Sequence, residues 1–151
     1  MLEEGYGLDV LYLDYQKAFD TVPHRRLMVK LKWYGVGESL LNWISEFVSL
    51  REMRVVVGGA GSQWEPVLSG IPQGSILGPL FFVLYVNELP KLVTSRVKLF
   101  ADDTKLWRVI KNNDDVQQLQ DDVSKLNKWT DEWLLKLNFE KCKKMSVGKN
   151  A

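Results

Sequence analysis

The chain has 151 residues, 46% hydrophobic and 26% charged, with six Trp, six Phe and five Tyr, which is enough for one globular domain with a real core and excludes a disordered chain. Twenty Lys and Arg stand against 19 Asp and Glu, a net charge of +1, so no overall basic excess announces a nucleic-acid binder, although a local patch can bind while the sum stays near zero. Cys142 is the single cysteine, which rules out an intrachain disulfide and fits a reducing compartment best.

The opening MLEEGYGLDV has neither a basic start nor an apolar run and does not read as a signal peptide. Leu8 to Asp14 (LDVLYLD) is rich in Leu, Val and Tyr and predicts a buried strand. KAFD and Pro23 follow, and Pro23 punctuates the chain before a helix. Leu27, Leu31 and Tyr34 lie at helical spacing within Arg25 to Tyr34, with Gly35 as a C-terminal stop. A second helix is predicted from Glu38 to about Leu50, with Leu40, Leu41, Ile44, Phe47 and Val48 on one face.

Met53 to Val57 and Gln63 to Leu68 read as two strands joined by the flexible GGAG. SGIPQGS, residues 69 to 75, is a loop. Ile76 to Leu89 predicts a largely buried helix with Pro79 in its first turn, where a missing N–H costs little. Its apolar stretch is too short to span a bilayer. Val97 to Ala101 and Thr104 to Ile110 are β-rich and flank Asp102 and Asp103, the shortest hairpin connection. Apolar residues recur every three or four positions from Asn113 to Leu137, which predicts a long amphipathic helix. A last strand is expected at Lys143 to Val147. The class is α+β without regular βαβ alternation.

Asp14 ends the first strand, and Asp102 and Asp103 sit at the hairpin tip. Adjacent carboxylates repel and raise each other's pKa unless something neutralises them. A divalent cation does so, and carboxylates are the hard oxygen ligands that Mg²⁺ prefers. Three of them meeting in space could hold two ions for an in-line phosphoryl displacement, which needs no His or Cys nucleophile. Taken alone, an Asp pair is more often simply a turn.

The segments LDYQKAFDTVPH, SGIPQGSILGPLFF, FADDTKLW and WLLKLNFEKCKKM occur in this order. Together they closely resemble the reverse transcriptases of non-LTR retrotransposons, the jockey and CR1-like elements in particular, from about Gly7 to Gly148. The resemblance implies a polymerase palm: an antiparallel sheet with helices packed on one face, forming one partial reverse transcriptase domain over residues 1–151. It implies RNA-directed DNA polymerase activity, with an RNA template, a DNA primer and deoxynucleoside triphosphates as partners and no membrane. The cofactor implied is Mg²⁺, two ions, with Mn²⁺ as a substitute.

Residue by residue, Asp14, Asp102 and Asp103 match the catalytic, metal-binding aspartates, Asp102 being the more dependable of its pair. Phe19 matches the bulky residue that leaves no room for a 2′-hydroxyl. Gly70, Pro72, Gln73 and Gly74 match the loop that packs against template base and nucleotide, and Lys141 matches a lysine near the triphosphate. Asp20 also fits the pattern, with a structural role expected, and His24 reads as a turn or helix-start residue. Arg51 and Arg54 are expected on a solvated face, while Lys141, Lys143 and Lys144 could touch nucleic-acid backbone.

The family's fingers, thumb and endonuclease regions are expected to lie largely outside this chain, so that the fragment alone is expected to have little or no polymerase activity. The alternative is a non-catalytic retrotransposon remnant that binds nucleic acid or protein. A nucleotidyl cyclase and a group II intron maturase are further palm-type readings: SGIPQG followed by FADD resembles a reverse transcriptase rather than the cyclase, and VKLFADDTKLW is more similar to the animal retrotransposon type than to the maturase.

Overall fold

The computed structural model describes residues Gly5–Gly148. In chain order it contains β1 (Gly7–Leu13), α1 (Ala18–Thr21), α2 (His24–Trp33), α3 (Glu38–Ser49), β2 (Glu52–Met53), β3 (Val56–Val57), β4 (Ala60–Gly61) and β5 (Glu65–Pro66). There follow α4 (Leu77–Val86), α5 (Leu89–Leu92), β6 (Arg96–Phe100), β7 (Asp103–Ile110), α6 (Asn113–Trp133) and β8 (Lys143–Val147). The chain divides into two compact units: one combines the N-terminal segment up to Gln16 with Val86 onward, and the other is Lys17–Tyr85.

The first unit is built on an antiparallel sheet of order β6-β7-β1-β8. β1 lies against β7 from Gly7↔Ile110 to Leu13↔Thr104, and against β8 from Leu8↔Val147 to Tyr12↔Lys143. Alternation of side chains along a strand puts Thr104, Leu106 and Ile110 on one face, and all three are buried. α6 packs along β7 and buries Leu119, Leu126, Trp129 and Trp133, the inward stripe that its spacing predicts. Asn112 caps this helix, its Oδ1 accepting from Asp115 N at 3.1 Å. The Asp115 carboxylate accepts from Lys111 N at 3.0 Å and pairs with Arg108 at 3.1 Å, which ties the end of β7 to the helix start.

α6 stops four residues before the predicted Leu137. Leu134 turns left-handed, with φ of 55°, yet Leu135 and Leu137 are both buried. Leu137 continues the spacing of the helix, but burial alone does not demand helical backbone, and the step of two from Leu135 to Leu137 is that of an extended segment. The chain instead runs beside the end of β1, with Gln16 N donating to Lys136 O and Asn138 N to Asp14 O, each at 2.8 Å.

Asp122 on α6 has a fully buried side chain. Its Oδ2 accepts from Thr94 N, Thr94 Oγ1 and Ser95 N at 3.0, 3.0 and 2.7 Å, and its Oδ1 pairs with Lys125 Nζ at 3.0 Å. Burial favours the neutral acid, but the hydrogen bonds from Ser95, Lys125 and Thr94 outweigh it and hold the carboxyl down at about 2. A single carboxylate thus anchors the turn that leads into β6.

In the second unit α2 packs on α3. Leu27 and Leu31 of the first helix and Ile44 and Val48 of the second are buried. The apolar face expected on α3 is split: Leu40 is exposed, and Phe47 stacks on the exposed Trp43 outside that face, with centroids 5.5 Å apart. Lys30 is buried and donates to Tyr85 O at 2.6 Å, with its ammonium 5.1 Å from the Tyr85 ring.

The two strands predicted around GGAG are broken into short pairs, Glu52↔Pro66 with Met53↔Glu65, then Val56↔Gly61 with Val57↔Ala60. Pro66 has no N–H to extend a ladder, and all eight paired residues are exposed, so no packed face supports longer strands. The Gly58 and Gly59 turn has positive φ at both positions, as a tight two-residue hairpin requires. α4 is shorter than predicted and a separate turn, α5, follows it, while Pro79 falls in the first turn of α4 as expected. Among the described residues no helix is long and apolar enough to cross a membrane.

Candidate active site

In the first unit, Asp14 follows the last residue of β1. Its carbonyl accepts from Asn138 N at 2.8 Å. Cys142 brackets the same peptide: Asp14 N donates to its Sγ at 3.5 Å, and its thiol reaches Asp14 O at 3.9 Å. The side chain is held less completely, because Asp14 Oδ1 is buried and has no hydrogen-bond partner. A buried carboxylate oxygen without a donor is costly, and a hard cation is the ligand chemistry that would relieve it.

The hairpin register differs by one residue from the expected one. Phe100 pairs with Asp103, so the two-residue connection is Ala101 and Asp102, and Asp103 opens β7. Ala101 carries the positive φ, 51°, that the tight connection needs. Asp102 and Asp103 are both exposed. Asp14 and Asp103 flank the Leu13–Thr104 pair, so the sheet brings all three carboxylates to one end of adjacent strands. Among the described residues, however, no three carboxylate, imidazole or thiol side chains converge closely enough to hold a metal ion.

Around this end Tyr12, Lys98, Phe100, Asp103 and Lys105 line an open hollow of about 470 Å³. Lys105 Nζ lies 4.8 Å from the Tyr12 ring centre, and Phe100 is 82% exposed. Tyr15 behind it is buried, and burial pushes its hydroxyl up to about 12 against the 3.2 Å bond with Thr104 Oγ1. Lys141 is exposed in the turn from Asn138 to Cys142, where Lys141 N and Cys142 N both donate to Asn138 O at 3.0 Å. The two ends of that turn are the groups that grip the Asp14 backbone. Lys144 pairs with the buried Asp9 at 2.9 Å, and Lys143 is exposed.

In the second unit, Phe19, Pro72, Gln73, Gly74, Gly78 and Pro79 line a pocket of about 210 Å³. Three of the expected nucleotide-contacting residues, Phe19, Gln73 and Gly74, therefore share one cavity. Phe19 is fixed by stacking on the buried Phe82, with centroids 4.7 Å apart. The SGIPQG loop is stitched to α1 by Gly70 N to Val22 O and Ile71 N to Phe19 O, each 2.8 Å. Gly70 has φ of +90°, and a Cβ there would lie 2.7 Å from the Asp20 backbone, so the contact admits only glycine.

Two side chains converge on the Gly70 carbonyl, His24 Nε2 at 2.9 Å and Arg51 Nη2 at 2.8 Å. A carbonyl only accepts, so Nε2 carries the proton. Burial lowers the His24 pKa, the bond to Gly70 raises it and the Arg51 charge lowers it, and the net direction is down. His24 opens α2 as its position beside Pro23 predicts. Arg51 departs from the expected solvated face: its guanidinium also donates to Val48 O at 2.9 Å. Arg54 lies 4.6 Å over the Trp64 ring. Asp20, expected to be structural, accepts from Ser69 Oγ on its backbone oxygen at 2.8 Å and from Gln73 Nε2 on Oδ1 at 2.7 Å. Nothing in the residue pattern foretold that last bond, because its partners are 53 positions apart.

Residues 6–150 match the family model described as reverse transcriptase (RNA-dependent DNA polymerase). The chain is 29% identical over 140 residues to the RNA-directed DNA polymerase from mobile element jockey of Drosophila melanogaster, covering 87% of this chain and 15% of that protein. It is 30% identical over 137 residues to the probable RNA-directed DNA polymerase from transposon X-element of the same fly, with 87% and 15% covered. It thus spans about 15% of the length of these curated relatives. The telomerase of Candida tropicalis solved in complex with a fragment of telomeric RNA has the same fold over 97% of this chain and 27% of its own, with a TM-score of 0.73 at 12% identity. The expected jockey-type resemblance and the α+β class with an antiparallel sheet are both borne out.

Proposed function

The chain belongs to the reverse transcriptase (RNA-dependent DNA polymerase) family, and from that premise we propose that it is the palm of an RNA-directed DNA polymerase within a longer retrotransposon protein. In this reading it adds deoxynucleotides to a primer 3′-hydroxyl on an RNA template. The observation that carries it is the unpartnered, buried Oδ1 of Asp14 at the sheet end that also bears Asp102 and Asp103.

Asp14, Asp102 and Asp103 would hold Mg²⁺. Two such ions, when bound, lower the pKa of the primer hydroxyl and neutralise the departing pyrophosphate. In Mg²⁺ chemistry one or two protein carboxylates are completed by substrate phosphates and water. Lys141, beside the turn that holds Asp14, is placed in this reading as the cation near the triphosphate and a proton donor to pyrophosphate. Phe19 closes the sugar side of the nucleotide pocket and excludes a 2′-hydroxyl, with Gln73 and Gly74 on the same wall.

The Phe19 assignment carries its own expectation. Phe19→Ala in an active polymerase containing this palm should raise ribonucleotide incorporation relative to deoxynucleotide by ~100-fold, equivalent to ~2.7 kcal/mol of lost discrimination. Unchanged discrimination in a variant that still extends primers would remove Phe19 from the sugar pocket.

The chain spans about 15% of the length of its curated relatives, so primer extension by the fragment alone is expected to be slight. The palm reading is tested on the fragment by calorimetric titration of Mg²⁺ or Mn²⁺, with and without a deoxynucleoside triphosphate, beside Asp102→Asn. Binding should tighten when triphosphate is present and weaken roughly tenfold in the variant, the loss of one charged ligand. Equal heats in both proteins would instead favour a remnant that only binds nucleic acid or protein.

A further inference from the structure

We propose that Asp20 is a positioning residue whose carboxylate sets the orientation of the Gln73 amide and so sets the affinity of the neighbouring pocket for a nucleotide. The inference rests on the reading of that pocket as the nucleotide site.

Gln73 Nε2 lies 2.7 Å from Asp20 Oδ1, the length of a charge-assisted bond. A carboxylate can only accept, so the amide nitrogen must be the atom that faces it. One end of the amide is thereby committed to Asp20, and the two-fold ambiguity of a glutamine side chain is removed. Without that partner the exposed Gln73 side chain would turn freely, and ordering it on binding would cost entropy. Gln73 also lines the 210 Å³ pocket with Phe19 and Gly74. Phe19 immediately precedes Asp20, so both walls of the cavity are held by one short stretch of α1.

The carboxylate is separable from the rest of the loop. Ser69 Oγ bonds the backbone oxygen of Asp20, and Gly70 packs on its Cα and carbonyl. His24 and Arg51 hold the Gly70 carbonyl independently. Removing the side chain therefore leaves the loop's own fastenings in place. Asn at position 20 retains an oxygen that can accept from Gln73, whereas Ala does not.

The test uses the full chain labelled with ¹⁵N. The Gln73 side-chain amide resonances are followed while deoxythymidine triphosphate and Mg²⁺ are added, in wild type, Asp20→Asn and Asp20→Ala, with thermal melts alongside. In wild type the Gln73 amide pair should respond to the nucleotide. Asp20→Ala should weaken that binding about tenfold, the worth of one well-placed hydrogen bond, with the melting temperature unchanged, and Asp20→Asn should restore most of it. Equal affinity in wild type and Asp20→Ala overturns the positioning role and leaves the nucleotide pocket standing. Matching losses of melting temperature in both variants also overturn it, because a merely structural role would give them. A wild-type Gln73 amide that ignores the nucleotide overturns the positioning role together with the reading of the pocket.

Discussion

Asp102→Asn, made in an active polymerase that contains this palm, is expected to lower primer extension by about three orders of magnitude, or roughly 4 kcal/mol of transition-state stabilisation. The substitution keeps the shape of the side chain and removes its charge. Asp102 is exposed in a two-residue connection, so no core contact is lost and the melting temperature should not fall. A defect confined to turnover would then be electrostatic, as expected for a group that holds a cation opposite the charge of a leaving pyrophosphate. Asp14→Asn should behave likewise, with one difference. The Asp14 carboxylate has a buried oxygen without a donor, so neutralising it should leave the fold as stable or slightly more so. An Asp102→Asn enzyme that retains even a tenth of wild-type turnover would move that residue out of the catalytic set.

The largest stability effect is expected at Asp122. Its side chain is fully buried and satisfies two backbone N–H groups and a hydroxyl while pairing with Lys125. Asp122→Ala strands those donors and should destabilise the chain by about 3–4 kcal/mol. The acid dependence has a defined sign. The folded-state pKa of about 2 lies below the ordinary aspartate value of 3.8, so the carboxylate contributes stability above pH ~4, and that contribution is lost as pH falls from ~4 towards ~2. The difference corresponds to about 2 kcal/mol. Urea unfolding at neutral pH and at pH 3 should show about half of this loss in wild type and a smaller one in Asp122→Ala. Parallel acid slopes in the two proteins would mean that another carboxylate governs acid unfolding.

The positions of helices and strands were largely legible, because period-two and period-3.6 patterns record which face is buried. β8 matches its predicted limits and α3 ends one residue short of them. Errors gathered where burial and backbone shape part company. Leu137 keeps the helical spacing of α6 but is buried from an extended segment. Leu40, Leu41, Ile44, Phe47 and Val48 suggest one face of α3, yet Leu40 is exposed and Phe47 stacks with Trp43. In the arm from Glu52 to Pro66, β-favouring residues form only two-residue pairs, since a strand without a packed face has little to hold it.

At the site, four sequence segments in order carried the resemblance that named the candidate carboxylates, aromatic and loop, since each of those groups read alone is an ordinary turn or core residue. Tertiary structure alone decided how they are held. It moved the hairpin connection to Ala101 and Asp102, closed Cys142 and Asn138 on the Asp14 backbone, and left one Asp14 oxygen without a donor. It also turned Arg51 and His24 onto the Gly70 carbonyl and gave Asp20 its partner in Gln73. These bonds join residues 19 to 128 positions apart, and hydrogen-bond geometry over such separations depends on how sheet and loop pack, which no local pattern of residues encodes.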